Sequence, residues 1–164
     1  MSSLRKLTEA DLPLLLSWRN DPTISRYMFN QQPISLEEHR QWYLRVAQSA
    51  AYTLLIYEQE GVALGHMNFT QKTDSAVAEW GFYLSPSAPR GTGSKMSECA
   101  LELAFEELHF HKVSAQVLAY NERSLHLHHK LGFKQEGVLR SHHFDGERYH
   151  DIHCFGLLAN ERRN

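Results

Sequence analysis

From Ser94 to His109, apolar side chains recur at Met96, Ala100, Leu101, Ala104, Phe105 and Leu108, spacings of three and four that line one stripe of a helix. Two earlier helices are signalled by their starts. Thr8 followed by Asp11, and Ser35 followed by Glu38, each set a hydroxyl at an N-cap with a carboxylate three residues on, where the pair can satisfy orphan amides reciprocally. They predict helices over 9–18 and 36–47. Tyr52 to Tyr57, the polar break at 58–61 and Val62 to Thr70 read as a hairpin, and Ala76 to Leu84 adds a third antiparallel strand. Val113, Ala115, Val117 and Ala119 alternate as a strand does, and Ser124 to Lys130 forms a short helix closed by Gly132. Phe133 to His142 and Tyr149 to Leu158 flank a hairpin turn at 144–147. The predicted order is ααβββαβαββ, an α+β chain built on a mostly antiparallel sheet.

Composition narrows the picture. A chain of 164 residues with 42% hydrophobic content can bury one core, and the absence of repeats, low-complexity tracts and linkers predicts a single domain over 1–164. No run of about eighteen apolar residues occurs, and the start Met1-Ser2-Ser3-Leu4-Arg5-Lys6 leads to Glu9 and Asp11, so a cytoplasmic protein without a membrane partner is expected. Cys99 and Cys154 lack finger or C-x-x-C spacing and read as packing residues of a reducing compartment. Seventeen basic and nineteen acidic residues are interspersed for a net charge of −2, which excludes a strong basic field for nucleic acid and points to a small-molecule substrate. Eleven histidines, His126, His128, His129, His142, His143, His150 and His153 among them, raise the question of a metal. No fixed supporting shell accompanies them in the sequence, so no metal is expected.

The candidate chemistry begins at Pro89-Arg90-Gly91-Thr92-Gly93-Ser94-Lys95, a turn between a strand and the best helix. Glycines let a ligand approach the backbone, and the first amides of a helix carry partial positive charge without internal acceptors, so a diphosphate fits there. A Walker A loop is excluded by its spacing. Downstream, Asn121-Glu122-Arg123-Ser124-Leu125-His126-Leu127-His128-His129-Lys130-Leu131-Gly132-Phe133 resembles the N-x-x-S…Y-x-K-x-G-F signature of the GNAT superfamily of acetyl-CoA-dependent N-acetyltransferases. With Trp80-Gly81-Phe82-Tyr83-Leu84 and the Gly-Thr-Gly turn in order, the resemblance spans about residues 4–158.

This resemblance implies a sheet splayed into a V between the strand ending at Leu84 and that of Val113 to Ala119, with acetyl-CoA as cosubstrate in the opening. It implies that the backbone of Phe82, Tyr83 and Leu84 pairs with the pantetheine arm, that Arg90, Gly91, Thr92, Gly93, Ser94 and Lys95 hold the pyrophosphate, and that Asn121 and Ser124 line the far side. Two departures stand out: Ala88 occupies the place of the family's Gln or Arg, and His128 that of a Tyr which protonates the leaving thiolate.

Amine acetylation needs a neutral amine, donors for the thioester carbonyl and an acid or water for the sulfur. His128, or His129 in a shifted register, is the candidate acid. Glu79, on the strand face shared with Val77, Gly81 and Tyr83, is the candidate base, with His66 its rival. The segments Trp18 to Phe29 and Ile34 to Trp42 resemble the branch of the superfamily that N-acetylates UDP-linked 4-amino-4,6-dideoxy sugars in pseudaminic acid biosynthesis. Arg19, Arg26, Arg40, Tyr27, Phe29, Trp42 and Tyr43 would then supply guanidinium forks and aromatic faces for the nucleotide. A protein N-terminus or a polyamine is the alternative acceptor, a non-catalytic acetyl-CoA sensor the alternative class, and a homodimer through the last strands is left open.

Overall fold

Strand-forming segments outnumber helices along the chain, and in the computed structural model, which describes residues 1–72 and 74–162, they join into one seven-stranded sheet. The strands are β1 (Ser2–Lys6), β2 (Tyr52–Gln59), β3 (Val62–Gln71), β4 (Val77–Leu84), β5 (Lys112–Leu118), β6 (Lys134–Phe144) and β7 (Tyr149–Leu158). Their order is β1-β2-β3-β4-β5-β7-β6, antiparallel throughout except for the parallel β4–β5 pair. The helices are α1 (Leu12–Arg19), α2 (Pro22–Ser25), α3 (Leu36–Val46), α4 (Thr92–Glu102) and α5 (Glu122–Lys130). The α+β expectation with a mostly antiparallel sheet therefore stands.

Period-two alternation gives each sheet face its own core. On one face Met67, Phe69, Trp80, Val113, Ala115 and Phe155 pack with Met96, Ala100 and Leu101 of α4 and with Phe133 after α5. On the other face Leu54 and Ile56 pack with Leu12, Leu15 and Trp18 of α1 and Val46 of α3. Gly65 lets α4 approach β3: a Cβ there would stand 2.7 Å from Met96 Sδ and 3.0 Å from Leu84 Cδ2.

Three elements differ from the periodicity reading. β1, unpredicted, pairs with β2 at the sheet edge, Leu4 opposite Tyr57; one half-buried leucine among polar neighbours leaves too little alternation to read. The first predicted helix begins as a short turn at Glu9–Asp11 before α1, whose second position Pro13 needs no amide donor, and α2 follows as an extra turn capped by Asp21, which accepts from Thr23 N at 2.9 Å. The long helix widens into a π turn over Leu103–Glu107, so the amide of Leu108 reaches the carbonyl of Leu103 at 2.9 Å. Ser35 and Glu38 form the predicted capping box in full, each side chain bonding the other's amide at 3.1 Å.

Candidate acetyl-transfer site

The parallel strands β4 and β5 are paired only at Val77, Ala78 and Glu79 against Lys112, Val113 and Ser114. Beyond that point they part. β4 keeps its ladder to β3 as far as Leu84 opposite Gly65, so its other edge over 80–84 has no strand partner among the described residues. The result is a V whose narrow end lies at Glu79 and whose wall is Gly81, Phe82, Tyr83 and Leu84. Phe82 and Leu84 pack with the α4 core, while Tyr83 packs with the α1–α3 core.

At the wide end α4 begins. Gly91, at φ +92°, is its left-handed N-cap, a conformation that suits glycine. Thr92 donates to the Pro89 carbonyl from Oγ1 at 2.6 Å and from its amide at 3.2 Å, and the Lys95 amide bonds the Gly91 carbonyl at 3.2 Å. The amides of Gly93 and Ser94 in this first turn are left for a ligand. A Cβ on Gly93 would lie 3.6 Å from Leu84 Cδ1 and 3.9 Å from Leu127 Cδ2, room for a methyl group but not for a branched side chain. Arg90 and Lys95 are both exposed beside this turn. Sequence reasoning passes over Lys130, whose Nζ donates to Ser94 Oγ at 3.3 Å from α5. Its signal was available, since it occupies the Lys of the N-x-x-S…K-x-G-F segment.

Asn121 caps α5, its Oδ1 accepting from the Ser124 amide at 3.3 Å. Four residues on, His128 is almost fully buried in a box of aromatic rings from Trp80, Phe82, Phe133 and Phe155, with centroids 4.9 to 6.1 Å away. Its Nε2 accepts from the Trp80 indole at 3.0 Å, and an indole only donates. The proton of the neutral ring is therefore on Nδ1, which donates to the Ser124 carbonyl at 2.7 Å. Burial lowers this imidazole to about 4, against a smaller upward pull from the Ser124 carbonyl. At neutral pH it has no proton on Nε2 to give. His129 meets Phe155 edge-on from the same helix.

The opposite face of β3 and β4 carries the two candidate bases. His66, opposite Tyr83, is buried, and its Nδ1 donates to the Leu55 carbonyl at 2.9 Å, leaving the Nε2 lone pair as acceptor. Burial again lowers it, to about 4. Glu79, half-buried, sits opposite Thr70 on one side and Ser114 on the other, at the narrow end of the V. Four strand positions separate it from Tyr83, so His66 lies about 13 Å from Glu79 along β4. The two cannot receive the same proton.

The residues anticipated for a nucleotide are not gathered as one cluster. Arg19 is buried and donates to the carbonyls of Asn30 at 2.5 Å and Gln32 at 3.1 Å. Arg40 pairs with Glu9 at 2.7 Å on the surface. Trp42 stacks on His39 at 5.3 Å, and Trp42 and Tyr43 pack on the α1–α3 core. Arg26, its guanidinium 4.5 Å from the Tyr27 ring centre, and Phe29, 46% exposed, remain at the surface. Among the described residues no group of three or more His, Cys, Asp or Glu side chains is arranged to hold a metal ion, and no helix is long and apolar enough to cross a membrane.

The model of the acetyltransferase (GNAT) domain family matches residues 3–134. The chain is 30% identical over 132 residues to the SPbeta prophage-derived uncharacterized N-acetyltransferase YokL of Bacillus subtilis, a match that covers 79% of this chain and 74% of that protein. It is 25% identical over 133 residues to the acetyltransferase PseH of Campylobacter jejuni, covering 81% and 83%. The spermidine N(1)-acetyltransferase of Vibrio cholerae is 25% identical over 169 residues, covering 99% and 95%. The solved complex of that species' spermidine N-acetyltransferase with CoA and spermine superposes with a TM-score of 0.91 at 24% identity, over 98% of this chain and 96% of the other.

Proposed function

The chain belongs to the acetyltransferase (GNAT) family, and from that premise we propose that it acetylates a primary amine on a small polar molecule, with acetyl-CoA held in the V between β4 and β5. The observation that carries this reading is the parting of the two parallel strands beyond Glu79 and Ser114, with a left-handed glycine cap and the first amides of α4 at the wide end. With phosphates at Gly91–Lys95 and Lys130, the pantetheine arm runs back along Leu84, Tyr83 and Phe82, and the thioester reaches the narrow end beside Glu79.

There the amine nitrogen attacks the thioester carbon, the carbon–sulfur bond breaks, and CoA leaves as thiolate. Glu79 accepts the proton lost by the amine, directly or through one water, and solvent protonates the thiolate. His128 holds Trp80 and α5 in register instead of acting as the acid, because its Nε2 already accepts the Trp80 proton. His66, roughly 13 Å from Glu79 along β4, offers a neutral acceptor to the far part of the acceptor molecule and not to the attacking amine. Glu79→Gln is expected to lower kcat by roughly 100-fold with acetyl-CoA affinity retained; wild-type turnover across pH 6–9 would remove Glu79 from the mechanism.

A polyamine is the first acceptor reading, supported by the relation to spermidine acetyltransferases over nearly the whole chain. A nucleotide-linked amino sugar is the second, supported by PseH and by the exposed Arg26 guanidinium over Tyr27. The deciding experiment follows CoA thiol with acetyl-CoA and either spermidine or a UDP-4-amino-4,6-dideoxy sugar. Release with spermidine alone establishes the first, release with the sugar alone and inhibition by UDP the second. Acetyl-CoA binding without release on any amine would sink the transferase reading.

A further inference from the structure

Residues 26–35 connect α2 to α3 and lie against the C-terminal end of β5, at the wide end of the V. They are held from two sides. On the α1 side, Arg19 bonds the carbonyls of Asn30 and Gln32, and Asn20 gives and receives one bond each with the backbone of Ile34, at 2.8 and 3.1 Å. On the β5 side the hold comes from Tyr120. Its hydroxyl donates to the carbonyl of Arg26 at 2.5 Å and accepts from Gln31 Nε2 at 2.9 Å.

The Tyr120 ring is itself fixed. Tyr27 lies 6.0 Å from it, and His150 meets it edge-on at 4.7 Å. His150 is anchored in turn through Nε2 to Asp145 at 2.6 Å, while the other oxygen of Asp145 accepts the amides of Glu147 and Arg148 at 2.8 and 2.9 Å. Nearby, Phe29 meets His143 edge-on at 5.7 Å, a second contact between this loop and the β6–β7 hairpin. Tyr120 immediately precedes Asn121, the cap of α5. One turn of backbone thus carries both the start of α5 and the anchor of loop 26–35.

We propose that Tyr120 is a positioning residue for the acceptor: through Arg26 and Gln31 it fixes loop 26–35 as one wall of the mouth through which the amine enters the V, with Asp145 and His150 bracing its ring. This deepens the acetyltransferase reading and rests on it. A hydroxyl that makes two bonds to one loop has no equal in Phe, whereas the ring packing against Tyr27 and His150 survives that change. Acetyl-CoA, bound on the other side of the turn, is untouched.

The test compares the full chain with its Tyr120→Phe variant, using spermidine and the UDP-amino sugar as acceptors, acetyl-CoA binding by titration, and amide hydrogen exchange over 26–35. Tyr120→Phe is expected to raise the KM of the acetylated amine roughly tenfold, the effect of losing one to two hydrogen bonds, with kcat within about twofold. The acetyl-CoA Kd should stay unchanged and exchange over 26–35 should quicken. Gln31→Leu, at a half-buried position, removes the loop's own bond to Tyr120 together with its bond to the Arg26 carbonyl at 3.0 Å; it should shift KM and exchange in the same direction and serves if the tyrosine variant folds poorly. Unchanged exchange over 26–35, or a fall in kcat with weaker acetyl-CoA binding and an unaltered acceptor KM, overturns the proposal. If the wild type acetylates neither amine, the two acceptor readings fail, and the exchange comparison still decides whether Tyr120 holds the loop.

Discussion

His66 and His128 are neutral in the fold because burial disfavours their charged forms more than their carbonyl partners favour them. Both have native values near 4, below the 6.5 of an unfolded histidine, so between those limits the unfolded chain binds more protons and stability rises with pH. On acidification from pH 7 each should cost about 2 kcal/mol by pH 5 and about 3 kcal/mol by pH 4. Urea midpoints at pH 7 and pH 5 check this, and a flat response would mean that the two imidazoles are solvated. At His128 a pair of substitutions separates structure from chemistry. His128→Phe leaves the Trp80 indole N–H unpaired, which should cost about 1–3 kcal/mol, whereas His128→Gln offers an oxygen in its place and should recover much of that loss. If His128 were instead the acid, both variants would lose turnover alike at full stability.

At the scale of elements, the site depends on how α4 starts and how closely it approaches the sheet. Gly91→Ala places a Cβ on a left-handed N-cap, a cost of roughly 1–2 kcal/mol, and should weaken acetyl-CoA binding severalfold by loosening the turn that presents the Gly93 and Ser94 amides. Titration of acetyl-CoA against the variant checks this, and wild-type affinity would detach the turn from phosphate binding. The same scale shows which elements were legible. The α4 stripe, the Ser35–Glu38 capping box and the β2–β3 and β6–β7 hairpins follow from local spacing and turn chemistry, and all are present. β1 was not legible, because an edge strand with one half-buried leucine takes its definition from β2, fifty residues away. The π turn at Leu103–Glu107 was not legible either, since its stripe has the same apolar residues as an α-helix.

For the whole molecule, the V is a gap in an otherwise continuous sheet, and a ligand bound only by the native state should stabilise it through mass action. Acetyl-CoA at 100 times its Kd should add about 2.7 kcal/mol to the unfolding free energy. It should slow amide exchange at Phe82–Leu84 and at Gly93–Ser94 together, because both line the opening. Protection of one segment without the other would break the route of the pantetheine arm along β4. The solved spermidine N-acetyltransferase of Vibrio cholerae, which superposes nearly end to end, shows that this fold is held at about a quarter identity.

Local signals along the chain determined the α+β class, most of the element order, the glycine turn before α4 and the family, because helix periodicity, caps and the 121–133 segment are properties of neighbouring residues. Tertiary structure decided the roles of single side chains. His128 sits where the motif places an acid, yet only the fold brings Trp80 to its Nε2 from 48 positions away and so occupies it. The resemblance of their segments to the sugar-nucleotide branch makes Arg19 and Arg40 nucleotide contacts, yet the fold directs one to loop carbonyls and the other to Glu9. Tyr120 carries no signal in the sequence at all; its hold on Arg26 and Gln31 exists because β5 ends beside a loop some ninety residues earlier. A hydrogen-bond partner far along the chain is fixed by packing, and no local pattern records it.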